Sequence, residues 1–316
     1  MNFPWSKEEK INRESLPFIG SNNLDYLLHT YPDGSKYVEI IRMGPNLTFH
    51  INSYEDLWIL NQIHDTVVYN NPQQRVVVTI PNLLDAQADR RFKSNEPHAL
   101  KLVCKLLNQM VNFNFIIHHP HNPEVVEALI DNVRIMDNSN LVENALYEIF
   151  KTKSVPHRDV PPSYAGIKLA KATLPSDVIL MSADAGGYKP LMKLADKLEW
   201  KGEVYSASKS RSYVDGKSKV TQIVDRQDFG GKDIVIIDDI CVGGGTFKGL
   251  SKLLRERNCG KIYLVVSHMT IQDLGLDPVT NYFEKVFTTN SKFDSYTIND
   301  GTHDDSRDNL YVLQKF

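Results

Sequence analysis

The segment 234–247 reads IVIIDDICVGGGTF. It begins with four branched apolar residues, continues with two acids and then has three glycines in a row. Its polar chemistry resides in two aspartates, three glycines and a threonine: Asp238, Asp239, Gly243, Gly244, Gly245 and Thr246. Successive backbone N–H groups in a glycine turn at a helix N-terminus form a site for phosphate. The carboxylates would repel phosphate, so we expect them to accept hydrogen bonds from vicinal sugar hydroxyls. The pattern predicts a ribose held by its 2- and 3-hydroxyls, with its 5-phosphate in the glycine turn.

A tight strand-to-helix turn with solvated aspartates is the simpler interpretation of this segment. One or two glycines suffice for such a turn, whereas three in a row favour close approach of a large polar ligand to the backbone. The segment is not a Walker phosphate loop, because no lysine directly follows the glycines, and its spacing differs from the dinucleotide-binding fingerprint. We therefore favour the ribose-phosphate interpretation.

Short runs rich in valine and isoleucine recur along the chain and predict buried strands at 75–80, 113–117, 177–181, 234–237 and 263–266. Apolar residues at helical spacing lie between them, at 96–111, at 189–198 and after the glycines. We expect Ser94 or Asn95 to cap the first of these helices and Gly260 to end the last in a left-handed conformation. Strands that alternate with helices predict an α/β fold with parallel sheets covered on both faces.

Composition narrows the class of protein. The chain has 316 residues, of which 41% are hydrophobic and 24% charged, and its net charge is −3. Without a basic block we expect no nucleic-acid partner, and without a run of roughly 18 apolar residues we expect no membrane span. Three cysteines without metal spacing predict reduced thiols in a cytoplasmic protein.

Three prolines between 156 and 162 predict a domain boundary, because each removes a backbone donor and disfavours helix. We expect an N-terminal domain at 1–155 and a C-terminal domain at 156–290. The tail at 291–316 has strand-like character and is compatible with packing on either domain.

The acid and glycine loop resembles the phosphoribosyl-diphosphate loop of phosphoribosyltransferases and ribose-phosphate diphosphokinases (PRPP synthetases). Further segments are similar to the synthetase family and lie in its order: YPDG at 31–34, DAQADRRFKSNEPHALKLVCKLL at 85–107, FIIHHPHNPEVVEALIDN at 115–132, ILMSADAGG at 179–187 and YSASKSRSYVDGKSKV at 205–220. A transferase would share only the loop, so the chain is identified as a divergent member of the synthetase family. The resemblance implies two phosphoribosyltransferase-like domains, each a mostly parallel sheet flanked by helices.

The family's reaction moves the β,γ-diphosphate of ATP onto the anomeric hydroxyl of a ribose 5-phosphate moiety and releases AMP, with Mg²⁺ bridging the phosphates. By resemblance, Lys209 and Arg211 supply positive charge to the migrating diphosphate from a mobile loop. ATP is assigned to Tyr31, Asp33, Arg90 and His121. The ribose-phosphate side is assigned to Asp184, Gly186 and Gly187 together with the acids, glycines and threonine of the 238–246 loop.

The resemblance makes His121 and Asp184 the metal ligands. Zinc held by His118, His119 and His121 is the alternative. In an extended chain His119 and His121 would share a face while His118 points away, and no third protein ligand follows from spacing, so we favour magnesium. The family also implies a homo-oligomer, a dimer or hexamer, with ATP between subunits.

The sequence departs from the family pattern at both substrates. Gln87 and Ala88 stand where the family's ATP segment begins with Arg-Gln, and Ser35 replaces a glutamate. In the acceptor loop Val242 replaces an aspartate and Gly243 a threonine, which removes polar atoms and enlarges the space beside the 5-phosphate. We hypothesise a ribose 5-phosphate esterified further out, such as ADP-ribose giving ADP-ribose 1-diphosphate in NAD salvage, with ribose 5-phosphate itself as an equal alternative.

Two other classes remain open from the sequence. One is a non-catalytic protein that associates with a synthetase, which the altered ATP segment favours and the retained site residues oppose. The other is a phosphoribosyltransferase, which would consume phosphoribosyl diphosphate and a base without ATP.

Overall fold

Two parallel sheets with flanking helices organise the chain, which confirms the predicted α/β fold. The computed structural model describes residues 23–91, 93–150, 178–214, 217–270, 278–292, 310–314 and 316, with the backbone alone for 209–214 and 217–221. Within these ranges, no helix has both the length and the apolar character needed to cross a bilayer.

The first sheet has four parallel strands in the order β3-β4-β5-β6. An antiparallel hairpin precedes it, formed by β1 (Leu24–Thr30) and β2 (Lys36–Met43). The strands and helices of this half then follow as β3 (Asn46–Thr48), α1 (Tyr54–Asn70), β4 (Val76–Ile80), α2 (Ala99–Asn108), β5 (Phe113–His118), α3 (Pro123–Leu129) and β6 (Val133–Met136). One apolar core joins the hairpin, the sheet and the three helices.

The second sheet has six strands, all parallel, in the order β14-β13-β12-β11-β7-β8. Its elements are α4 (Ser139–Phe150), β7 (Val178–Ser182), α5 (Tyr188–Lys197), β8 (Glu203–Ser206), β11 (Asp233–Cys241), α6 (Gly245–Glu256), β12 (Ile262–Met269), β13 (Lys285–Thr289) and β14 (Leu310–Gln314), with a short 3-10 helix at Val279–Tyr282. A separate hairpin, β9 (Ser208–Val214) with β10 (Lys217–Ile223), lies between β8 and β11 in the chain.

Alternate residues of β11 pack on opposite faces of the second sheet. Ile234 and Ile236 join the core that contains α6, whereas Val235 and Ile237 join the core that contains α4 and α5. The connection from β7 therefore runs to α5 on one face, and the connection from β11 runs to α6 on the other. Neighbouring strands whose connections leave to opposite faces create a crevice at their carboxyl ends, where ligands bind in open α/β sheets.

Helix α4 packs against the second sheet, although it precedes the predicted domain boundary at 155. Its apolar side, which includes Leu146 and Ile149, packs with Leu180 and Val265 of the second sheet. The proline-rich stretch itself lies outside the described residues, so the division at 155 stays a prediction. Within the tail, residues 310–314 form β14, which pairs with β13 of the second sheet.

The predicted helix caps are wrong. Helix α2 begins at Ala99 rather than at Pro97, and its N-cap is His98, which makes no side-chain capping bond. Ser94 and Asn95 instead lie in a turn, closed by the bond from the Glu96 N–H to the Lys93 carbonyl.

The left-handed residue after α6 is Asn258, with φ of 55°, not Gly260 as predicted. Gly260 serves close packing instead. A Cβ there would lie 2.4 Å from the Gly231 carbonyl oxygen and 2.4 Å from Asp233 Oδ1. Both approaches are much shorter than a van der Waals contact, so the loop requires glycine at this position.

We expect Gly260→Ala to lower the free energy of unfolding by about 1–3 kcal/mol, because the backbone must move to admit the methyl group. The matched control is Gly249→Ala in α6, where the added Cβ would meet only Gln222 Cγ at 3.6 Å. That change should be neutral or stabilise by about 0.5–1 kcal/mol. Urea unfolding of both variants measures the difference, and equal effects would contradict the packing argument.

Candidate active site

The crevice between β7 and β11 collects the predicted ribose-phosphate residues. The two strands are in register, with Ser182 opposite Ile237, so the loops that follow them start side by side. Asp184, Gly186 and Gly187 lie on the first loop, and the twin aspartates and the three glycines lie at the end of the second. The structure therefore brings together the whole set predicted for the ribose-phosphate side.

A histidine from the first sheet reaches the twin acids. His121 Nδ1 lies 2.6 Å from Asp239 Oδ2, although 118 positions separate the two residues in the chain. Asp238 takes a different partner, since its Oδ1 accepts a hydrogen bond from the Asp239 backbone N–H at 2.9 Å. The Asp239 side chain is only 16% exposed, so His121 supplies a partner to a carboxylate that is largely removed from water.

The two acids are pushed to opposite protonation states. Burial, and then the neighbouring Asp239 charge, raise the pKa of Asp238 well above its usual value. Burial also acts to raise the pKa of Asp239, but the hydrogen bonds with His121 and Asp238 outweigh it and hold that pKa well below its usual range. The hydrogen bond with Asp239 in turn raises the pKa of His121. The pair therefore favours less than two full negative charges, with the ionised carboxylate on Asp239.

In the glycine turn, the backbone conformation requires glycine at one position, and the other two positions have open space around them. Gly244 is the N-cap of α6 and has φ of 71°, the left-handed region that a side chain disfavours. A Cβ at Gly243 or Gly245 would meet no atom within 4 Å. Since the protein's own packing does not demand those two glycines, they leave room for a ligand next to the backbone N–H groups at the start of α6. Thr246 is the second residue of that helix.

The loop after β7 is shaped around Asp184. Its Oδ1 accepts a hydrogen bond from the Gly187 N–H at 3.1 Å, and Gly187 is the N-cap of α5. A Cβ at Gly186 would lie 3.3 Å from the same oxygen. The charge of Asp184 also acts to raise the pKa of Asp238, which indicates that the two loops lie close enough for these carboxylates to interact.

The three histidines after β5 do not form the arrangement expected of an extended chain. His119 has φ of 37°, so the chain turns there, and its Nδ1 lies 2.8 Å from Ser267 Oγ. The His118 ring packs against Phe316, with ring centroids 4.3 Å apart. The expectation that His119 and His121 share a face of an extended segment is therefore wrong, because the left-handed residue lies between β5 and His121.

The residues predicted to bind ATP lie in two separate parts of the first half of the chain. Arg90 is exposed and lies in the same segment as Asp89, whose Oδ2 accepts a hydrogen bond from Asn122 at 2.9 Å beside His121. Tyr31 and Asp33 lie instead at the turn of the β1–β2 hairpin, where Asp33 Oδ1 accepts a hydrogen bond from Ser35 Oγ at 2.7 Å. Tyr31 is 53% exposed. The described contacts of these two residues stay within the hairpin.

The segment predicted as a mobile catalytic loop forms strands instead. Lys209 and Arg211 lie on β9, paired with Gln222 and Val220 of β10. Serine alternates with longer residues in SKSRSYV, which is the period of two expected for a strand. Helix α6 contacts β10, so the hairpin lies next to the helix that begins at the glycine turn. The side chains of Lys209 and Arg211 lie outside the described residues, and their catalytic role stays a prediction.

Sequence reasoning missed several polar residues at the carboxyl ends of β12 and β13. Ser267 and His268 lie just before Met269, the last residue of the largely apolar strand β12, and Ser291 follows β13. The signal was present, because two polar residues at the end of a fully buried strand next to the acid-bearing strand are expected to face a ligand or another polar group.

Comparison with known proteins shows what the chain is similar to. A family model described as a phosphoribosyl transferase domain matches residues 165–307. A ribose-phosphate pyrophosphokinase of Pyrococcus furiosus is 22% identical over 264 residues, which cover 83% of this chain and 84% of the relative. The enzyme of the same name from Aquifex aeolicus is 24% identical over 296 residues, 90% of this chain and 85% of the relative. The chain is thus similar to ribose-phosphate pyrophosphokinases over most of its length.

A solved structure of phosphoribosylpyrophosphate synthetase from Mycobacterium smegmatis has a TM-score of 0.68 at 18% identity, covering 92% of this chain and 86% of that one. At this identity the likeness establishes the fold. The resemblance inferred from the motifs is thus confirmed. The individual site residues assigned from the pyrophosphokinase family are not tested by these comparisons and stay predictions.

The His121–Asp239 contact predicts a pH-dependent contribution to stability. The raised pKa of His121 stabilises the folded state below its usual value of 6.5, and this contribution is lost as the pH rises through the folded pKa. The lowered pKa of Asp239 stabilises the folded state above its usual value of 3.8, and this is lost as the pH falls. The raised pKa of Asp238 has a pH dependence of the same sign as that of His121, because ionising Asp238 lowers the stability of the folded state as the pH rises.

We therefore expect Asp239→Asn to cost most stability between about pH 4 and pH 6.5, and less toward about pH 9. Urea unfolding of both proteins across this range measures the cost at each pH. A cost that grows steadily from about pH 6 to pH 9 would show that the pair is not the charged hydrogen bond inferred above.

Proposed function

We propose that this protein transfers the β,γ-diphosphate of ATP to the anomeric 1-hydroxyl of a ribose 5-phosphate moiety and releases AMP. The observation that supports it most directly is the juxtaposition of an ionised, histidine-bound Asp239 with a glycine turn that has open space at Gly243 and Gly245. The names of the pyrophosphokinase relatives support the same reaction.

The chemistry needs positioning and neutralisation of charge more than covalent catalysis. The oxygen of the 1-hydroxyl attacks the β-phosphorus of ATP and loses its proton, and the bond between that phosphorus and the oxygen it shares with the α-phosphate breaks. AMP leaves with that oxygen. The products are the 1-diphosphate of the ribose and AMP.

Asp239 is the acceptor of hydrogen bonds from the ribose hydroxyls in this proposal. Its lowered pKa keeps the carboxylate ionised, while the raised pKa of Asp238 favours a proton on that neighbour. The site thereby offers an anion to the diol without presenting two full negative charges near the phosphates. The N–H groups at the start of α6 bind the 5-phosphate, aided by the positive end of the helix dipole.

Magnesium fits the donor set at this crevice. The carboxylate oxygens of Asp184 are hard ligands of the kind that Mg²⁺ prefers, and magnesium commonly uses only one or two protein ligands with substrate phosphates. No group of three or more potential ligands among the described residues is arranged to hold a metal by itself, so the phosphates would complete its coordination. A contact from His121 would use Nε2, because Nδ1 faces Asp239. The ion would neutralise the phosphate charge.

The acceptor proposed here is ribose 5-phosphate extended beyond its phosphate, with ADP-ribose as the example, in a route of NAD salvage. Val242 is 55% exposed at the glycine turn, and the absence of any atom within 4 Å of a Cβ at Gly243 leaves space beside the 5-phosphate. A second phosphate bound there would meet neither a carboxylate at 242 nor a threonine at 243.

The decisive assay incubates the purified protein with ATP, Mg²⁺ and either acceptor and measures AMP. We expect AMP with ADP-ribose, and weaker release with ribose 5-phosphate. AMP with ribose 5-phosphate alone would overturn the extended acceptor, and no AMP with either would favour a non-catalytic family member. Consumption of phosphoribosyl diphosphate and a base without ATP would indicate a phosphoribosyltransferase.

Val242→Asp is the informative variant in the same assay. A carboxylate at 242 would repel a second phosphate, so we expect use of ADP-ribose to fall by about tenfold or more relative to ribose 5-phosphate, equivalent to about 1.4 kcal/mol. Val242→Thr, which has nearly the same size and no charge, is the control. Equal losses with both acceptors would show that Val242 does not face the distal phosphate.

A further inference from the structure

The turn that presents His121 is held in an unfavourable backbone conformation. His119 occupies the left-handed region with φ of 37°, which is unfavourable for a residue other than glycine. Its own N–H donates to the Met136 carbonyl of β6 at 2.7 Å. That single bond leaves the His119 carbonyl and ring to be fixed by other groups.

Those groups come from the second sheet. His268 Nε2 lies 3.1 Å from the His119 carbonyl oxygen, and Ser267 Oγ lies 2.8 Å from His119 Nδ1. Both residues lie near the carboxyl end of β12, the strand next to β11. The register pairs Asp238 with Val266 and Ile240 with His268, so Ser267 and Asp239 occupy matching positions on neighbouring strands. His119 therefore contacts Ser267, and His121 contacts Asp239 at the matching position on the neighbouring strand.

His268 is held as a donor toward His119. It is 4% exposed, and burial followed by the neighbouring His119 lower its pKa to about 4, so its ring is neutral. A neutral ring has one N–H, and the carbonyl of His119 can only accept, so that N–H is on Nε2. Nδ1 is then the acceptor, and it lies 2.7 Å from Ser291 Oγ, which donates to it.

We propose that His268, whose Nδ1 is held by Ser291, is a positioning residue that fixes the His119 turn so that His121 meets Asp239. It acts through the His119 carbonyl and has no part in contacting substrate. Its effect on turnover rests on the proposed function, but its effect on the His121–Asp239 hydrogen bond does not.

The test measures that bond directly in the whole 316-residue chain. The Nδ1 proton of His121, hydrogen-bonded to a carboxylate, should give a downfield NMR resonance in protein labelled with ¹⁵N-histidine, assigned by its loss in Asp239→Asn. We expect His268→Phe to shift or remove this resonance and His268→Gln, which keeps a donor near the Nε2 position, to retain it. His64→Phe is the control for the same substitution, because His64 packs on Phe113 in the first core; it should leave the resonance unchanged.

Enzyme activity gives a second readout. We expect kcat/KM for the acceptor to fall about 10- to 100-fold in His268→Phe, as for other residues that orient a site residue, and to recover in His268→Gln. If His268→Phe does not fold, Ser291→Ala replaces it, and the resonance should weaken there as well. An unshifted resonance in whichever of these two folds overturns the proposal, whether or not the protein makes AMP. A shifted resonance in a protein that makes no AMP would contradict the proposed function and leave the positioning role supported.

Discussion

The hydrogen bond between His121 and Asp239 is the interaction on which the active site depends. It joins the carboxyl ends of the two parallel sheets across 118 positions of the chain, at 2.6 Å. A carboxylate that is largely buried is costly unless it is paired, and its pairing with His121 keeps Asp239 ionised. Asp238, which lacks this partner, is pushed toward its protonated form instead. One contact thus favours the negative charge on Asp239 over the adjacent Asp238.

The architecture explains why this contact lies where it does. Strand β12 is buried along its whole length, as are most residues of β7 and β11, so polar side chains are confined to the strand ends. The connections from β7 and β11 leave to opposite faces and open a crevice at that edge. The turn after β5 reaches the same edge, so a donor from one sheet and acids from the other meet where a ligand can enter.

Much of this could be predicted from the sequence, and what failed has identifiable physical causes. The apolar runs and the glycine triplet predicted the strands and the crevice residues, because those signals are local. The contacts of His119 with Ser267 and His268 were not predictable, since their partners lie 148 and 149 positions away and no local pattern reveals the pairing. Gly260 was assigned to a left-handed stop because glycine favours it, whereas close backbone approach is what requires glycine there. The hairpin that carries Lys209 was predicted as a loop, although its alternating serines have the period of a strand.

The most direct test of the central claim is calorimetric titration of the acceptor into the protein without ATP. Asp239→Ala should abolish measurable binding of both ribose 5-phosphate and ADP-ribose while the circular dichroism spectrum stays that of the folded protein. Asp225→Ala, which changes another aspartate of the same half outside the crevice, should bind as the unaltered protein does. Acceptor affinity that survives in folded Asp239→Ala would contradict the assignment of this carboxylate to the sugar diol.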